Sequence, residues 1–98
     1  MLELIKTRCG IAESIDLYDK DILSYMEDAK TDMVDSGVPE SVIESEHAAV
    51  ITAVTLYVKS NLAEDTTEAE RYMKLYQSKV FRLTLKEGDE KKECGIDP

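Results

Sequence analysis

The stretch HAAVITAVTLYV, His47 to Val58, constrains the fold more than any other part of the chain. It is the longest run without Asp, Glu, Lys or Arg, and from Ala48 onward it is apolar nearly all round a helical wheel. A helix of that kind has no face to give to water, so other elements must enclose it. At twelve residues it is too short to cross a bilayer, which needs about twenty. The run therefore predicts the buried centre of a small globule, surrounded by amphipathic elements from the rest of the sequence.

Those elements read as helices. The chain has only two prolines and no alternating strand-and-turn rhythm. A short first helix is expected from Leu2 to Cys9, stopped by Gly10. A loop through Ile15 to Tyr18 leads to a second helix, with Asp19 as its N-cap. Ile22, Tyr25, Met26, Ala29 and Met33 form its apolar stripe, and Gly37 ends it. The third helix opens at VPESVIES, with Pro39 in the first turn, and continues through the apolar run to Val58. The fourth starts at the capping-box pair Thr67 and Glu70. Its stripe is Ala69, Tyr72, Met73, Tyr76, Val80 and Leu83, and Gly88 closes it.

At 98 residues the chain can build one core. The expected fold is all-α: a compact bundle of three main helices plus a short N-terminal helix over residues 1–87. Residues 88–98 read as a flexible charged tail. MLELIKTRCG has charges among its apolar letters and no small-residue cleavage site, so no signal peptide is expected and the protein should be intracellular where it is made. Cys9 and Cys94 could clamp the two ends, but in that compartment reduced thiols are the expectation.

Charge is unevenly placed. Residues 13–46 hold eleven acids against Lys20 and Lys30, a net −9 that equals the formal charge of the whole chain. Residues 71–86 hold five bases and no acid. Such a molecule is electrically two-faced, and ordinary affinity for nucleic-acid backbones is not expected of it.

Little here points to chemistry. Read as a calcium loop from Asp16, the acidic segment places Tyr18, Lys20 and Asp21 where an oxygen ligand, a second ligand and the turn glycine belong. Glu44 and His47 form one E-x-x-H pair, but a di-iron bundle needs two, and the chain has a single histidine. That histidine reads as a partly buried structural residue. The four glycines, at 10, 37, 88 and 95, form no phosphate loop, and no nucleophile signature accompanies His47. Tyr25, Tyr57, Tyr72 and Tyr76 fall on core positions, not on a base-stacking platform. No catalytic residue, metal or cofactor is expected.

The surface is more informative. Leu75, Phe81 and Leu85 fall outside the core stripe of the fourth helix and lie near bases that include Arg82. They either widen the core contact or form a subunit interface. An acidic half and a basic helix can pair head to tail between copies, and such contacts close into rings.

The order LIKTRCGI, DLYDKDILSYMEDAKTDMVDSGVP, AAVITAVTLYVKSNL, RYMKLYQSKVFRLTL resembles the small all-helical head–tail connector (adaptor) proteins of tailed bacteriophages and prophages, over about Leu2 to Glu87. The resemblance implies a structural virion protein at the head–tail interface, made in the bacterial cytoplasm. Such proteins form a homo-oligomeric ring on the portal, extend the DNA channel and support head-closure or tail-completion proteins. The tail from Lys86 to Pro98 is then the candidate portal-docking segment. Asp28, Asp32 and Asp35 are candidate channel lining, since a negative wall repels the phosphates of passing DNA. The alternative from another class is an acidic regulatory protein that mimics DNA for a basic partner. The basic fourth helix counts against it.

Overall fold

A computed structural model describes residues 1–45 and 47–93, the last eight of them as backbone alone. Five helices follow in order: α1 Leu2–Arg8, α2 Asp19–Ser36, α3 Glu40–Glu44, α4 Ala48–Leu62 and α5 Thr66–Glu93. Among the described residues there is no strand. The all-α bundle expected from the sequence is therefore the fold observed. As the apolar run requires, α4 is its centre and packs against α5, α2 and α1. Val50, Ala53, Val54 and Val58 of α4 are completely buried.

The amphipathic stripes meet that centre as their spacing demands. Ile22, Met26, Ala29 and Met33 of α2 are buried and Tyr25 is half-buried; on α5, Tyr76, Val80 and Leu83 are buried. Gly37 ends α2 in the left-handed region at φ 106°, where its N–H reaches the Val34 carbonyl at 3.0 Å. Tyr57 and Tyr76 stack across the α4–α5 seam with centroids 5.0 Å apart and planes tilted by 59°.

Four boundaries differ from expectation. The third helix is two: α3 ends at Glu44, and His47 caps α4 by accepting the Ala49 N–H on Nδ1 at 3.1 Å. The break turns Val42 and Ile43 inward independently of α4. It also leaves His47 exposed, not partly buried, with one ring nitrogen engaged as a cap. At α2, Tyr18 holds the N-cap position, and Asp19 is the first helical residue. At α5, the helix begins at Thr66, and the Asp65 carbonyl accepts the Ala69 N–H at 2.9 Å, so Thr67 lies inside the first turn. Finally, α5 runs through Gly88 to Glu93.

Asp19 is diverted from capping by a stronger partner. Lys6, 3% exposed, places Nζ 2.9 Å from Asp19 Oδ1 and donates to the Glu13 carbonyl at 3.2 Å. Asp19 Oδ1 is buried, and the Lys6 ammonium at 2.9 Å is the partner that compensates it. This ion pair ties α1 to the start of α2. Cys9 lies beside Tyr72 at the opposite end of α5 from Glu93, about 30 Å away along the helix. Cys94, the other end of the clamp considered from the sequence, lies outside the described residues. Burial also pushes the Cys9 thiol up, with Lys59 opposing, and thiolate is correspondingly scarce.

Candidate subunit interface

The outer side of α5 is built from residues its core stripe leaves over. Leu75, Phe81 and Leu85 are 47%, 64% and 54% exposed, so they do not widen the core contact. Arg71, Lys74 and Arg82 are exposed among them. At 100° per residue, Leu75 and Arg82 share one flank, Phe81 lies about 120° away, and Leu85 falls between. The outer face is thus apolar and basic together, and Phe81 marks the edge nearest α2.

At that edge α5 and α2 leave a groove of about 230 Å³, lined by Asp32, Ser36, Tyr76, Val80, Phe81 and Thr84 among others. The two sets of residues singled out in the sequence therefore meet: Asp32 of the acidic set and Phe81 of the apolar set border one groove. Leu75 and Arg82 do not reach it, being on the other flank of α5. The docking segment proposed from Lys86 to Pro98 lies beyond the described side chains.

Asp32 is held in place from inside. The Tyr76 hydroxyl, on a residue only 1% exposed, donates to Asp32 Oδ2 at 2.7 Å, with the Ala29 carbonyl at 3.3 Å as a second acceptor. Burial pushes the Tyr76 phenol far above its ordinary range; the bond to Asp32 and that residue's charge push in the same direction. Tyr57 is also raised, by burial and then by the charges of Asp28 and Asp32. The acids at 28 and 32 therefore project their field onto the tyrosine seam beneath them.

The rest of the acidic row is exposed. Asp28 and Asp35 stand on the same side of α2 as Asp32, at helical spacings of four and three. Among the described residues the ion pairs are Lys6–Asp19 and Lys30–Glu27, so neither this row nor the bases of α5 are neutralised by each other. Arg71 leans over the Tyr72 ring at 5.2 Å, and Lys59 of α4 lies 5.6 Å from the same ring. The surface thus offers an acidic row beside an apolar groove, and a basic row beside leucines.

The Tyr76–Asp32 bond was not anticipated from the sequence. A buried tyrosine hydroxyl needs a partner, which is a signal, but which of many acids would answer it depends on how α2 and α5 pack. Lys6 likewise lacks any local mark as a buried residue. A family model described as phage connector protein matches residues 1–90. No curated protein and no solved structure matches the chain.

Proposed function

Because this chain belongs to the phage connector protein family, we propose that it is a head–tail adaptor that assembles as a ring on the portal. Its role in the phage is structural. The ring would extend the channel through which DNA passes and offer a platform to head-closure or tail-completion proteins. The match over residues 1–90 carries this reading. The exposed Leu75, Phe81 and Leu85 support it, because three large apolar side chains spread over the outer side of one helix mark a surface awaiting a partner.

The test is reconstitution with the portal protein of the same phage genome. Co-purified complexes should show an added ring of density below the portal by electron microscopy. No retention on the portal, together with salt-dependent binding to a DNA-binding protein, would overturn the reading in favour of an acidic mimic.

A further inference from the structure

Two rows of exposed side chains share one spacing. On α2 the row is Asp21, Tyr25, Asp28, Asp32 and Asp35; on α5 it is Arg71, Leu75, Ser78, Arg82 and Leu85. Both advance by four, three, four and three residues, so each spans about 21 Å and follows a straight seam. Nine of the ten residues are exposed, and Tyr25 is half-buried. One row carries four carboxylates. The other carries two guanidinium groups with leucines between and beyond them. From these matched rows we infer that the α2 acidic row of one copy receives the α5 row of a second copy. This inference rests on the adaptor reading and names the surfaces through which its copies meet.

The pairing cannot occur within one chain. Asp32 faces the inner side of α5, through Tyr76, whereas the Arg71–Leu85 row lies on the outer side. One surface of each copy must therefore meet a different surface of the next, which is the head-to-tail arrangement that closes into rings. Helices with seams averaging 3.5 residues pack at a crossing of about 20°. The groove beside Asp32 supplies the apolar part of the contact: Phe81, Val80 and Tyr76 line a recess fit for a leucine of the incoming row. Asp28, Asp32 and Asp35 are thereby assigned to a neighbouring copy, not to the channel wall. A wall that only repels phosphate has no use for an exposed phenylalanine alongside it.

Charge reversal tests the pairing. Asp28→Lys/Asp35→Lys and Arg71→Glu/Arg82→Glu each place like charges along the seam and spare Asp32, which the fold uses. Each double variant, shown to be folded by its helical circular dichroism, should lose at least about tenfold in assembly at low salt, alone and on portal complexes. The fourfold variant restores opposite charges, as does an equimolar mixture of the two doubles, and both should recover assembly. If either double forms rings as the wild type does, or the folded fourfold variant fails to recover, the pairing is wrong while the adaptor reading stands. A wild type that assembles neither alone nor on portals overturns both.

Discussion

At the scale of single residues, two buried polar contacts set the local energetics. The Tyr76 hydroxyl and Asp32 carboxylate form a charge-assisted bond across α2 and α5. Tyr76→Phe should lower stability by about 1 kcal/mol in urea titration, because Asp32 remains solvated on its outer side. The same phenol sets an alkaline limit. Its proton is held more tightly in the folded state than in the unfolded one, so the stabilisation is complete below pH 10, the ordinary tyrosine value, and declines above it. The slope should approach about 1.4 kcal/mol per pH unit, and Tyr76→Phe should flatten it. Lys6 makes the second contact. Asp19→Ala leaves its ammonium buried without a counter-charge. The expected loss is about 2–3 kcal/mol by denaturant unfolding, under the range for fully enclosed pairs because Asp19 is partly open to water. Neither contact was legible in the sequence. Asp19 has the residue type and position of a cap, and only the packing of α1 brings Lys6 within reach of it.

At the scale of elements, the sequence was legible wherever periodicity decides the outcome. Ile22, Met26, Ala29 and Met33, and likewise Tyr76, Val80 and Leu83, are buried because a helix of 3.6 residues per turn puts them on one side. Gly37 was legible for a steric reason, and the structure sharpens it. A Cβ there would meet only Thr84 Cγ2 at 3.6 Å, an ordinary contact, so crowding is not the obstacle. Gly37→Ala should still cost about 1–2 kcal/mol by thermal unfolding, all of it from the left-handed backbone. The break between α3 and α4 was not legible. Ser-Glu-His contains neither proline nor glycine, and the stop is made by Ser45 Oγ bonding the Val42 carbonyl at 2.6 Å and by the His47 cap. Gly88 gave the opposite error: a glycine near a helix end favours termination but does not compel it, and α5 passes through.

At the scale of the whole molecule, the candidate interface was half legible. Helical spacing separates Leu75, Phe81 and Leu85 from the core stripe, and their exposure follows. The nearness of Phe81 to Asp32 depends on how α5 lies against α2, which no local pattern encodes. Phe81→Ser/Leu85→Ser should leave a fully helical, monomeric chain that no longer joins portal complexes; rings seen by electron microscopy would remove these two side chains from the contact. The tyrosine seam also makes the molecule optically self-reporting. The chain has no tryptophan, so its ultraviolet emission comes from five tyrosines. A phenol bonded to a carboxylate is a poor emitter, because its excited state hands the proton across. Tyr76 should therefore be dark while Asp32 holds it and brighten when α2 and α5 separate, a signal of core opening that needs no added dye.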